Sequence, residues 1–186
     1  MNEVIKTILE RRSVRSYEKT PVKHEDIELL VKCAMFAPTG MARQPWHFTA
    51  VERVDVLDKI SEMNKKVLLD QPEGFLRAQA EKPDFNVFRG APAVIFISSG
   101  DEGINTIADC ANAAENIVLA AHSLGLSTCY VAMFKYSLEL EEGREYFKEI
   151  GVPEGYTPHF AICIGYGNET LGDRAPRKEN IVNYVR

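Results

Sequence analysis

Most of the features from which a function is usually read are missing from this chain of 186 residues. No stretch approaches about 18 uninterrupted apolar residues, and the opening residues carry no charged-then-apolar signal pattern, so neither membrane spanning nor secretion is expected and the cytoplasm is the expected location. Cys33, Cys110, Cys129 and Cys163 stand far apart with no CxxC pair; zinc needs ligands at short spacing, so they are read as buried free thiols and no metal is expected. A P-loop is absent. "GYGNETLG" (165–172) misplaces the second and third glycines of a dinucleotide fingerprint, and no helix follows to aim its N-terminus at a pyrophosphate. His24, His47, His122 and His159 fall at no informative spacing from a nucleophile, and there is no GxSxG. A side-chain acid–base engine is therefore not expected. A formal net charge of -5 also disfavours a general nucleic-acid or anionic-membrane surface, which needs excess Lys and Arg to displace counterions.

What is present is ordinary globular material: 45% apolar and 26% charged residues, with twelve Gly and nine Pro. The length suits one domain over 1–186, which at this size buries roughly 70% of its unfolded surface. The charge is uneven. Arg11, Arg12 and Arg15 crowd one stretch and Arg174, Arg177 and Lys178 another, while Glu139, Glu141 and Glu142 lie between. Two small basic clusters in an acidic protein suit a small anion better than a polymer. Three arginines within five residues equally suit the solvated end of a helix.

Val4, Ile5, Ile8 and Leu9 form a helical stripe that should stop near Ser13, and "SVRSYEKTPV" is extended. A second helix carries Ile27, Leu30, Val31 and Ala34 and ends at Pro38. "HFTAVE" reads as a strand, and Val54, Leu57, Ile60, Val67 and Leu68 mark a helix to about residue 69. Residues 70–90 mix breakers with isolated aromatics, which suggests a short helix inside a mobile cover. "AVIFIS" (93–98) is a central strand, and Thr106 to Leu124 is a long alanine-rich helix capped by Gly125. "STCYVA" is a strand, a charged helix runs from about Leu138 to Ile150, and "HFAICIGYG" is the last strand. Ile181, Val182, Tyr184 and Val185 imply that the tail packs somewhere. Four or five strands and about five helices, intermixed, give an α+β sandwich with one sheet covered by helices on both faces.

One stretch asks for an explanation. "APTGMARQPWHF" (37–48) groups Pro38, Gly40 and Pro45 around Gln44 and Trp46, the single tryptophan, and contains no carboxylate. It is either tightly packed or shaped around something electron-rich.

Together with "RRSVRSY", "FRGAPAVIFI", "CANAAENIVLAAHSLGLSTCYVAMF" and "RAPRKENIV", in this order over nearly the whole chain, that stretch resembles the nitroreductase family. The resemblance implies a three-layer sandwich with a central, mostly antiparallel sheet. It also implies a homodimer with two FMN molecules at its interface, and NADH or NADPH as co-substrate. It places the phosphate on Arg11, Ser13 and Arg177, with Arg12 and Arg174 nearby, and Arg15 at the pyrimidine end of the ring. Pro38, Thr39, Gly40 and Gln44 would pass under the partner's flavin, where a carboxylate would repel phosphate and reduced ring alike. Asn86 would stand near the ring's polar edge, and Val131, Ala132 and Met133 would offer backbone groups toward N5 and O4. Trp46 is read as core. Two departures stand out: Ala42 where many relatives have asparagine, and a closing basic pair spaced as Arg174 and Arg177 instead of two apart. The implied reaction is ping-pong transfer of two electrons from NAD(P)H to nitroaromatics, quinones or similar acceptors, with residues 70–90 shaping the acceptor site. The alternatives are a specialised member, such as a reductive dehalogenase or an enoate or flavin oxidoreductase, and a non-catalytic FMN-binding protein.

Overall fold

The computed structural model describes residues 1–100 and 103–186. The chain begins with α1 (Glu3–Glu10), whose N-cap Asn2 accepts the Ile5 N–H at 3.0 Å, followed by α2 (His24–Met35). Strand β1 (Trp46–Val51), α3 (Val54–Leu69), α4 (Phe75–Ala80) and β2 (Ala93–Ser99) come next. After α5 (Thr106–Ser123) come β3 (Ser127–Val131), α6 (Glu141–Glu149) and β4 (Thr157–Gly165).

The four strands pair in the order β1-β2-β4-β3, antiparallel throughout. Every residue of β2 is buried, which is why it reads as an unbroken apolar run. One sheet face packs on α3 and α6 through Phe88, Phe96, Phe134 and Phe147, whose rings meet edge-on or tilted at 5.2–6.0 Å. The other face presents Ile95, Ile97, Ile162 and Ile164 to α2 and α5, where Ala113, Ala114 and Ala121 let the helix approach closely. The expected three-layer α+β sandwich is therefore present.

Gly125 ends α5 as expected. It adopts φ 76°, its N–H reaches the His122 carbonyl at 3.0 Å, and the Leu126 N–H reaches that of Ala121 at 2.9 Å. Trp46 is half-buried against the α2–α5 core, with its ring 6.0 Å from Phe48.

Three expectations are corrected. Helix α1 stops at Glu10, short of Ser13, because the chain is drawn to the sheet: Ser13 bridges Thr128 and the Val14 N–H donates to the Thr128 carbonyl at 2.9 Å. Helix α2 stops at Met35, ahead of Pro38, whose ring disfavours helical geometry at the residue before it. The single helix expected over 138–150 is two elements, a 3-10 segment Met133–Glu139 and α6, joined at an extended Leu140. This brings the helices to six α-helices plus two short 3-10 segments among the described residues. Ile181, Val182, Tyr184 and Val185 of the tail are exposed on this chain. No helix among the described residues is long and apolar enough to cross a membrane.

Candidate functional site

The two basic clusters, some 160 residues apart in sequence, meet. Arg11, Arg12, Ser13, Arg15, Arg174, Ala175 and Arg177 line an open cavity of about 290 Å³, and no carboxylate is among them. The arginines divide by duty. Arg174 donates to the Glu10 carbonyl and, at 3.3 Å, to that of Arg11, satisfying acceptors that the end of α1 leaves orphaned. Arg12 donates to the Gly172 carbonyl at 3.1 Å. These two fasten the tail to the segment after α1. Arg11 and Arg177 make no side-chain hydrogen bond or ion pair among the described residues, so their cations remain available to an anion. The cavity lies just past the C-terminal end of α1, so an anion entering it would meet guanidinium forks and not a helix N-terminus.

From this cavity the edge strand β3 runs onward. Ser13 bridges Thr128, and Val131 lies about 10 Å further along at strand rise. Arg15 stands beside Cys129; its N–H is held by a Glu169 carboxylate oxygen. Beyond the strand, the Met133 carbonyl is gripped at 2.8 Å by the side-chain amide of the fully buried Asn64 on α3. Beneath lie Cys129, Cys163 and Tyr17. Burial raises both thiols, with Arg15 and Arg89 opposing the shift at Cys129, and pushes the Tyr17 phenol far above its usual range. None of the three is an acid or base near neutrality.

Asn86 has a role that sequence did not suggest. Its Nδ2 donates to Asp58 at 3.0 Å, and its Oδ1 accepts the N–H groups of Phe88 at 2.9 Å and Gly90 at 3.4 Å. It builds a tight turn on which Arg89 sits at φ 61°, exposed, with its charge felt at Cys129 and Cys163. Arg89 and Asn64 are candidate residues of this region that the sequence did not mark. Arg89 lay inside a quoted motif without any spacing signal to mark it, and Asn64 looked like one polar residue on a helix.

The carboxylate-free loop takes an unusual path. Met41, Ala42 and Gln44 have φ of 54°, 55° and 48°, left-handed values that non-glycine residues rarely adopt. The Gly40 N–H donates to Asp109, the Pro38 carbonyl accepts from Asn112 at 3.4 Å, and the Thr39 hydroxyl accepts the Gln44 N–H at 3.4 Å. Pro38 and Gln44 are exposed. This loop is not beside the arginine cavity. It sits on the first half of α5, whereas α1 packs on the last turns of that helix, and Asp109 to Ser123 spans about 21 Å. The structure thus unites the cavity, β3 and the Asn86–Arg89 turn in one region and leaves Pro38, Thr39, Gly40 and Gln44 in another.

The model of the nitroreductase family matches residues 8–166. A Bacteroides fragilis nitroreductase solved with bound FMN is 29% identical and superposes with a TM-score of 0.93 over 100% of both chains. A Desulfitobacterium hafniense nitroreductase, also solved with bound FMN, is 25% identical with a TM-score of 0.92 over 100% of both. A Methanothermobacter thermautotrophicus protein, named provisionally as an NADH dehydrogenase/NAD(P)H nitroreductase, is 30% identical over 92% of this chain and 81% of its own. On sequence and on fold, the chain belongs to the nitroreductase family.

Proposed function

We propose that the protein is an FMN-dependent NAD(P)H oxidoreductase, one FMN-binding domain acting as a cytoplasmic homodimer on nitroaromatics, quinones and similar electron-poor acceptors. The observation that carries this reading is the arginine cavity: two unspent guanidiniums and a serine hydroxyl, no carboxylate in the wall, and an edge strand running on from it. FMN held there would supply the two-electron chemistry, with NADH or NADPH as the donor and the acceptor following in ping-pong order.

The chain's own residues bind, orient and tune. Arg11, Ser13 and Arg177 hold the phosphate, while Arg12 and Arg174 keep the tail closed over it. Arg15 opposes negative charge at the pyrimidine end, which favours the reduced ring. Asn86 supports the turn that brings Arg89 to the same edge, and Val131, Ala132 and Met133 present backbone, so their side-chain identity matters little. No side chain need move a proton, in keeping with thiols and phenol held neutral by burial. Residues 70–90 shape the acceptor space.

Distance supports the dimer. About 21 Å of helix separates the loop's seat from the end of α5 on which α1 packs, and the arginine cavity lies past the far end of α1, so the loop over each flavin would come from a second copy. The exposed apolar residues Val4, Ile8 and Leu9 of α1, Phe36 after α2 and Ile181 to Val185 of the tail are what such a copy would cover.

The test is the purified protein's colour, its extracted cofactor, its oligomeric state and its anaerobic response to NADPH and NADH. A yellow dimer that releases FMN and bleaches supports the reading, and a panel of nitro, quinone and halogenated acceptors then assigns the specificity. Colourless monomer that refuses added FMN ends it; bound FMN that neither nicotinamide bleaches leaves a binding protein.

A further inference from the structure

We infer that Asp109 is a positioning residue for this FMN site, acting through the Gly40 backbone; the inference rests on the reading of the Pro38–Gln44 loop as part of that site. Asp109 is 5% exposed, and both its oxygens lie 3.2 Å from the single Gly40 N–H. A carboxylate is costly to bury and needs fixed partners. It gains support from its place in the first turn of α5, where the helix dipole favours an anion.

The loop it holds needs holding. Three non-glycine residues in left-handed geometry persist only when their surroundings over-determine them. The first half of α5 provides those surroundings from one face, with Asn105, Asp109 and Asn112 at steps of four and three. Asn112 takes the Pro38 carbonyl, Asp109 takes the Gly40 N–H, and Gly40 is seated so closely that an added Cβ would lie 2.6 Å from Asn105 Nδ2. The loop's approach to a flavin is thus set from behind, by side chains of α5 that hold its backbone. Sequence reasoning had no access to this, because a polar residue in the first turn of a helix looks solvated.

The experiment titrates FMN into apoprotein of the wild type, Asp109→Ala and Asp109→Asn, following flavin fluorescence and the visible spectrum of the bound flavin. Asp109→Ala leaves a half-buried N–H without its partner and frees the loop, and is expected to weaken FMN binding about tenfold and shift the spectrum. Asp109→Asn keeps an acceptor oxygen and should stay within about threefold of wild type. A residue important only for stability would lower the melting temperature without moving either readout at temperatures where the variant is folded. Should Asp109→Ala fail to fold, Gly40→Ala takes its place: it should weaken FMN binding, and adding Asn105→Ala should restore it. Wild-type protein that binds FMN while folded Asp109→Ala, or Gly40→Ala, binds it equally well overturns the inference and leaves the flavin reading standing. Wild-type protein that binds no FMN removes the flavin reading first, and the inference with it.

Discussion

Replacing Arg11 by alanine isolates the phosphate contact better than any other change in the cavity. The Arg11 side chain makes no hydrogen bond or ion pair among the described residues, so its loss leaves the fold's internal bonds intact. A charge-assisted hydrogen bond contributes about 1.5–3 kcal/mol, and about 1.4 kcal/mol is a factor of ten, so FMN binding should weaken roughly 10- to 100-fold. The Coulomb ceiling is higher, about 4 kcal/mol at 4 Å in an effective dielectric of 20, but Arg11 is only half-buried and water screens part of it. The assay is fluorescence titration of apoprotein with FMN and, in parallel, with riboflavin, which has the same ring and no phosphate. Wild type should prefer FMN, Arg11→Ala should lose most of that preference, and riboflavin affinity should not move. Raising salt should weaken FMN binding less in the variant than in the wild type. An unchanged FMN affinity, or an equal loss for riboflavin, would refute the placement of the phosphate on Arg11.

Other outcomes follow from the packing. Phe96→Ala empties the centre of the four-ring cluster and should cost about 3–5 kcal/mol in denaturant unfolding. Gly143→Ala places a Cβ 1.8 Å from the Ser137 carbonyl oxygen, so α6 must leave the 3-10 segment; a loss of about 3 kcal/mol or more, seen as a sharp drop in melting temperature, is expected. Arg174→Ala should free the tail to protease at the residues after Gly172 while sparing the core. His159 is held below its ordinary 6.5 by burial and by Lys135, so the unfolded state binds the extra proton first as pH falls. Stability should therefore decline below about pH 6.5 and be flatter in His159→Gln.

How much was legible depends on how local the cause is. The ends of α3 and the whole of β2 match the sequence expectation because a 3.6-residue stripe and an unbroken apolar run are written by near neighbours. The short helix within 70–90 and the turn at Gly125 were legible for the same reason. The stop of α1 was misplaced because Thr128, far along the chain, competes for Ser13 and Val14. Asn86 was expected near the ring's polar edge; that its side chain ties α3 to the following turn, through Asp58, Phe88 and Gly90, could not be read from spacing.

The amino-acid sequence by itself determined the family, the layer order, the basic character of two distant segments and the absence of carboxylates from Pro38–Gln44, since each is a matter of composition, period or local spacing. Only the tertiary structure decided which arginines are spent on carbonyls and which stay free, that Asp109 grips Gly40, and that loop and cavity lie at different parts of α5. Those are hydrogen bonds and distances between residues 69 to 164 positions apart, and they exist only once the sheet and helices have packed.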